Sequence, residues 1–182
     1  MIAAARDQAE IVTMLLEARA GASAADSAGR SALWLAACAD AVAALPLLLK
    51  AGAAVDAADE EGVTPLACAA ARGYTAVVDR LLRAGASASS KTRVGDTPLT
   101  LAAAGGHAGT TRLLLSAGAD ANVQNRLGDT ALILASQSGS VETVQALLDG
   151  GASRKLRNRD GVAASDAARA RSFDRVAALL GK

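Results

Sequence analysis

Apolar residues along the chain come in short clusters separated by polar, glycine-bearing turns. The stretch TAVVDRLLRA, 75–84, sets Val77, Val78, Leu81 and Leu82 at helical spacing, which predicts an amphipathic helix. Leucine pairs of the same kind stand at Leu15-Leu16, Leu48-Leu49, Leu114-Leu115 and Leu147-Leu148. An alanine-rich run precedes each of the later pairs. Two of these runs open on Thr64-Pro65 and Thr97-Pro98, a capping hydroxyl followed by proline at the first helical position. Each closes at Gly73, Gly106 or Gly139, where glycine acts as a helix stop. The second, leucine-bearing helix ends at Gly-Ala, as at Gly85-Ala86, with the glycine expected at positive φ. Between Gly85 and Gly95 the chain is polar and turn-forming, which predicts a projecting hairpin loop.

This helix–turn–helix–loop pattern recurs with a fixed step. Gly29, Gly62, Gly95, Gly128 and Gly161 are 33 residues apart, and so are Gly52, Gly85, Gly118 and Gly151. Ala3, Ala36, Ala69, Ala102, Ala135 and Ala168 share one phase, and Leu15, Leu48, Leu81, Leu114, Leu147 and Leu180 share another. A recurring alanine marks where neighbouring units approach too closely for a larger side chain. A recurring leucine is the knob that fills the gap between them. A unit of this size cannot bury its own apolar face, so it must stack on its neighbours.

The step, together with TPL at 64–66 and 97–99, LAAAGGH at 101–107, VVDRLLRAGA at 77–86 and AGADANVQN at 117–125, resembles ankyrin repeats along essentially the whole chain. The resemblance implies one domain, an all-α ankyrin-repeat solenoid of about six helix–turn–helix units with projecting β-hairpin loops. The units fall at about 1–26 (partial), 27–59, 60–92, 93–125, 126–158 and 159–182, the last as a C-terminal cap. His107 occupies the family's common Gly-His position and resembles a structural turn residue. A phosphate loop would carry lysine there instead.

Departures from the family pattern carry expectations of their own. The family's histidine after TPL is replaced by Trp34, Ala67, Thr100, Ile133 and Asp166, so the hydrogen-bond network it supplies between loops should be absent. Arg19 holds the phase of Gly52, and the turn is expected to slide to Gly21 rather than place arginine in the left-handed region. Pro46 lies inside a second helix and predicts a kink or a late start. Met1 falls at the phase of Trp34, so the chain starts within an inner helix, as an N-terminally trimmed array or a fragment of a longer protein would. The last unit carries Ser165, Arg169, Arg171, Ser172 and Asp174, the polar substitutions of a terminal repeat.

Composition narrows the function classes. The 19 basic and 18 acidic residues nearly balance, which predicts no strong pull towards nucleic acid or membrane. Only Trp34, Tyr74 and Phe173 are aromatic, so the core must pack through small side chains. Cys38 and Cys68 stand apart without a Cys-x-x-Cys pairing, beside a single histidine, which fails the ligand count of a zinc site. They are expected to be free buried thiols in a reducing compartment rather than a disulfide. The N-terminus carries acids where a signal peptide has its apolar run, and an intracellular location is expected. Ser31 to Leu49 could be mistaken for a membrane span, but Asp40 and Pro46 interrupt it.

No constellation supports an enzyme, a metal centre or a cofactor. His107 has no serine or cysteine tied to it by a motif. The carboxylate pairs Glu60-Glu61 and Asp56-Asp59 lie on expected loops, where they make poor acid–base catalysts. Binding is the positive reading, and the resemblance implies where: hairpin tips and the exposed face of the inner helices. On this chain the tips are Ser27, Glu60-Glu61, Arg93-Val94, Arg126-Leu127 and Arg159-Asp160. Arg30, Val63, Asp96, Asp129 and Val162, each following a loop glycine, join them. Cys38, Arg72, Gln137, Ser138 and Arg171 belong to the inner-helix face.

Arg93, Arg126 and Arg159 share one phase and should form a ladder, flanked by the apolar Val94 and Leu127. The hairpin RKLRNR, 154–159, is basic and DAADEE, 56–61, is acidic, so balanced net charge hides a gradient. A guanidinium row suits an acidic protein segment. The same arginines could instead pair with Asp96, Asp129 and Asp160 and merely stiffen the loops, and both readings stand at this point. The expected function is a monomeric protein–protein interaction module. The alternative is a regulatory or targeting piece of a larger enzyme or secreted effector. Nucleic acid is disfavoured because basic residues do not interleave with stacking aromatics.

Overall fold

The computed structural model describes residues 1–181, which form twelve helices without a named strand. Six short helices make an inner layer: α1 (Ile2–Ala5), α3 (Ala32–Cys38), α5 (Pro65–Ala71), α7 (Pro98–Ala104), α9 (Ala131–Ser138) and α11 (Ala164–Ala170). Six more make an outer layer: α2 (Ala9–Glu17), α4 (Ala44–Lys50), α6 (Thr75–Arg83), α8 (Ala108–Ser116), α10 (Val141–Asp149) and α12 (Asp174–Leu180). Each inner helix packs on the next inner helix, each outer helix on the next outer one, and each pair on itself. The ankyrin solenoid expected from the repeat is therefore the fold observed.

The inner helices start where the hydroxyls are. Ser31, Thr64, Thr97 and Thr130 accept the N–H of Trp34, Ala67, Thr100 and Ile133 at 3.1, 3.2, 3.2 and 3.3 Å. Each bond satisfies one of the donors that a helix start leaves unpaired. The last inner helix has Ala163 at this position, and the Asp166 carboxylate reaches back to its N–H instead, at 3.1 Å. The alanine column Ala36, Ala69, Ala102, Ala135 and Ala168 is fully buried. So are Leu81, Leu114 and Leu147, and Leu48 and Leu180 are nearly so. Each such leucine stabilises the stack by about 2 kcal/mol through area removed from water. Leu15, the same column in the first helix pair of the described stack, is 45 % exposed.

Three expectations meet the backbone differently. Arg19 takes φ +61° at the phase where Gly52, Gly85, Gly118 and Gly151 take +83° to +88°, and Gly21 does not. The turn keeps its register rather than sliding, because α2 ends at the same phase as the outer helices that follow. Pro46 does delay its helix: α4 starts at Ala44, where the phase of α6 would start it at Val42. The proline then sits in the first turn, where its missing N–H has no intrahelical partner to lose. The Asp7 carboxylate caps this late start, accepting from the N–H groups of Ala43 and Ala44 at 3.0 and 2.8 Å. α4 also meets α6 more sparsely than any other neighbouring outer helices meet. Ser31 to Leu49 resolves into two short helices, and no helix among the described residues is long and apolar enough to cross a membrane.

The two cysteines overturn the expectation of free thiols. Cys38 and Cys68 are joined by a disulfide, with their Cα atoms 5.4 Å apart. Cys38 closes α3 and Cys68 lies in the first turns of α5. A separation of 30 is one repeat less about one helical turn, which brings the end of one inner helix beside the start of the next.

The loop-tip row as candidate binding edge

Each of the five loops ends in the same tight turn. The N–H groups of Asp26, Asp59, Thr92, Asn125 and Asn158 donate to the carbonyls of Arg30, Val63, Asp96, Asp129 and Val162, at 2.9 to 3.1 Å. In four loops the Asp or Asn side chain that opens the turn braces it, accepting two N–H groups of the same loop. Thr92 does this once, for Asp96. This local acceptor role is what Asp and Asn do best at turns. The central pairs 27–28, 60–61, 93–94, 126–127 and 159–160 are left at the tips.

Neighbouring tips are tied to each other through the backbone. Glu60 donates its N–H to Ala28, Arg93 to Glu61, Arg126 to Val94 and Arg159 to Leu127, at 3.0, 2.8, 2.9 and 2.9 Å. The loop glycines permit this approach: a Cβ on Gly128 would lie 2.8 Å from the Arg159 nitrogen. Gly161, in the last of the five loops described, faces open space. Side chains add a second set of ties. Asn125 donates to Asp96 and Asn158 to Asp129, both at 2.8 Å, and Gln124 donates to the Arg157 carbonyl at 2.9 Å. Trp34 Nε1 donates to the Val63 carbonyl at 2.8 Å. The loops therefore have an inter-loop network without the histidine column, built from backbone and Asn–Asp pairs.

The network also engages two candidate residues: Asp129 is 6 % exposed, and Asp96 is half-buried and lines the groove below the tips. Just past each loop glycine the chain descends into the next helix cap, and the carboxylate holds the following loop. Glu60, Glu61, Arg93, Val94, Arg126, Leu127, Arg159 and Asp160 are exposed, as is Arg72 at the end of α5, while Gln137 in α9 is half-buried. The arginines do not pair with Asp96, Asp129 or Asp160. Arg93 sits 3.5 Å from Glu61 of the preceding loop, both largely exposed, and such a pair contributes about 0–1 kcal/mol. Arg126 and Arg159 have no side-chain partner among the described residues. Val94 and Leu127 beside them are 56 % and 67 % exposed.

Below the tips, a groove of about 370 Å³ runs between α5, α7 and their loops, lined by Cys68, Arg72, Arg93, Val94 and Leu101 among others. At the first loop Arg30 bonds Asp26 at 2.9 Å and lies 5.7 Å above the Trp34 ring. The guanidinium holds the Asp26 carboxyl below its usual range and is itself raised by it. At the last loop the Ala163 N–H, and then Arg157 at 3.0 Å, hold the Asp166 carboxyl below its usual range. So Arg157, within the basic hairpin, is turned back onto the fold. His107 Nε2 lies 3.1 Å from the Ala71 carbonyl, with its ring over Gly73 and Gly105. It joins the α7–α8 turn to the end of α5, the structural role expected of it.

A family model for ankyrin repeats in three copies matches residues 1–92 and again 71–158. The chain belongs to the ankyrin repeat family. A search of curated proteins finds no match. Ankyrin repeats are generally protein–protein interaction modules, and the fold is typically non-enzymatic. Among the described residues no group of three His, Cys, Asp or Glu side chains is placed to hold a metal ion.

The ankyrin frame also shows a surface that sequence reasoning passed over. Ile2, Ile11, Met14 and Leu15 are exposed at the end of the stack formed by α1 and α2. Ile11 is the signal: its column is Ala44, Val77, Thr110, Thr143 and Val176, each buried in its own helix pair.

Proposed function

We propose that this ankyrin array binds a protein partner through its loop tips and the inner groove beneath them, and that the partner brings an acidic segment carrying apolar side chains. The observation that carries the reading is the row at 93–94, 126–127 and 159–160. There backbone bonds fix the spacing of three arginines, two of them without an ion pair among the described residues, beside exposed Val94 and Leu127. A pre-ordered row loses little conformational entropy on binding, and arginine is enriched among residues that dominate interface energetics. Glu60 and Glu61 at the early end and the basic hairpin 154–159 at the late end set the polarity of the row, favouring one direction of the bound segment, and Asp160 contributes beside Arg159. Arg72 and Gln137 contribute from the inner-helix side. Asp96 and Asp129 support the tips from behind. The chain acts as a monomer, and its partner is not nucleic acid.

The test is charge reversal of Arg93, Arg126 and Arg159 to Glu together, with binding of a captured partner measured against the unaltered chain. Lost binding with an unchanged circular dichroism spectrum supports the reading. Unchanged binding removes the row from consideration. A second reading, a targeting or regulatory piece of a secreted effector, draws support from the disulfide, since such bonds persist mainly in oxidising compartments. Thiol labelling of the chain taken from its native source separates the two: a persistent disulfide favours the effector, free thiols the intracellular adaptor.

A further inference from the structure

We propose that Cys38 and Cys68 form a reversible thiol–disulfide exchange site that locks the junction between the α3–α4 and α5–α6 helix pairs, with a dithiol reductant as its exchange partner. The stack does not need the bond in order to form. The same two positions at the other junctions hold Ala5 and Leu35, Ala71 and Leu101, Ala104 and Leu134, and Gln137 and Ala167. Those junctions form with no covalent bond at these positions, so two thiols in contact would leave this one in the same shape. What the bond adds is a tie in the inner layer, at the junction whose outer layer is thinnest. Pro46 delays α4, and α4 meets α6 more sparsely than other outer neighbours meet.

The site lies at the edge of the core, beside the inner groove. Cys38 and Cys68 are each 8 % exposed, while Ala36, Ala37, Ala69 and Ala70 beside them are fully buried. Cys68 lines the inner groove together with Arg72 and Arg93. In the exchange, a thiolate of the reductant attacks one Sγ, and the S–S bond breaks. The electron pair leaves on the other Sγ, which takes up a proton. The reductant's second thiolate then attacks the mixed disulfide and releases the first cysteine, which is protonated in turn. Two electrons and two protons pass to the protein, and the reductant departs as a cyclic disulfide. Oxidised reductant reverses the sequence.

The consequence is local. In a repeat stack, stability is carried by each unit and by its contact with the next. The bond restrains α1 to α4 when they open from the rest of the array. Its loss should raise their opening on the order of a hundredfold, from the entropy of a loop of this length, and leave α9 to α12 unaffected. This does not depend on the partner-binding reading. The test is amide hydrogen exchange of the full chain, oxidised and in dithiothreitol, with the Cys38→Ala/Cys68→Leu double variant, which installs the pair used at neighbouring junctions. We expect dithiothreitol to speed exchange in α1–α4 about a hundredfold, oxidised dithiothreitol to restore the slow pattern, and the variant to show the fast pattern with or without reductant. The proposal is overturned if maleimide labels both cysteines without reductant, if the native chain resists reduction, or if exchange changes nowhere or equally everywhere.

Discussion

Thr111→Val should stabilise the protein, although it removes a polar group and touches no charge. Thr111 lies on α8 in a column otherwise filled by Val12, Leu45, Val78, Val144 and Ala177. It is fully buried, and its Oγ1 has no hydrogen-bond partner. A buried hydroxyl without a partner costs about 1–3 kcal/mol of desolvation. Valine keeps the β-branch and the volume, so side-chain entropy and helix preference barely change. The expected gain is about 1–2 kcal/mol, or about 2–8 °C in Tm for a chain of this length. Thermal and urea unfolding followed by circular dichroism would measure it. Thr110→Val and Thr143→Val serve as controls of the opposite sign. Their hydroxyls contact Thr75 Oγ1 at 3.0 Å and Ser140 Oγ at 2.8 Å, and each should lose about 1 kcal/mol. If Thr111→Val leaves the midpoint unchanged or lowers it, or if all three variants behave alike, the orphan-hydroxyl reasoning is wrong.

Other consequences are as direct. Arg19→Gly should raise the urea midpoint, by about 1 kcal/mol in stability, because it relieves an exposed arginine at φ +61°. Gly128→Ala and Gly118→Ala share a left-handed backbone that strains alanine by about 1–2 kcal/mol. Only at 128 would the new Cβ strike the Arg159 nitrogen, whereas Gly118 faces open space, so the first should be clearly the more damaging in the same assay. Asp166 is held below its usual range, so its support of the last helix is present at neutral pH and is lost as pH falls through that depressed value. Asp166→Asn should therefore flatten the acid side of the stability–pH curve, measured by urea unfolding from neutral to about pH 2.

The ankyrin stack was legible because its physics is periodic. Ala102 and Leu114 repeat in phase, Thr97-Pro98 marks a helix start, and the loop glycines combine positive φ with close approach to the next loop. The tips at 93–94, 126–127 and 159–160 could be placed by register alone. What escaped the sequence was non-periodic or depended on where a side chain points. Cys38 and Cys68 occupy different columns, so their pairing shows only once adjacent inner helices are offset by a turn. Asp129 has the same polarity as Asp160, but the first points back to Asn158 and the second to solvent. Arg19 argued locally for a slipped turn, and the register of α2 overrode that local preference. Asp7 caps a helix that starts late because of Pro46, a link across 36 residues that no local pattern announces.

The most direct measurement is side-chain footprinting by hydroxyl radicals on the chain with and without its captured protein partner, read by mass spectrometry. Val94 and Leu127 should lose reactivity in the complex, while Met14, exposed on the far end of the stack, keeps its own. Protection of Met14 with Val94 and Leu127 still reactive would mean that the partner grips another surface and that the row of tips is not the binding edge.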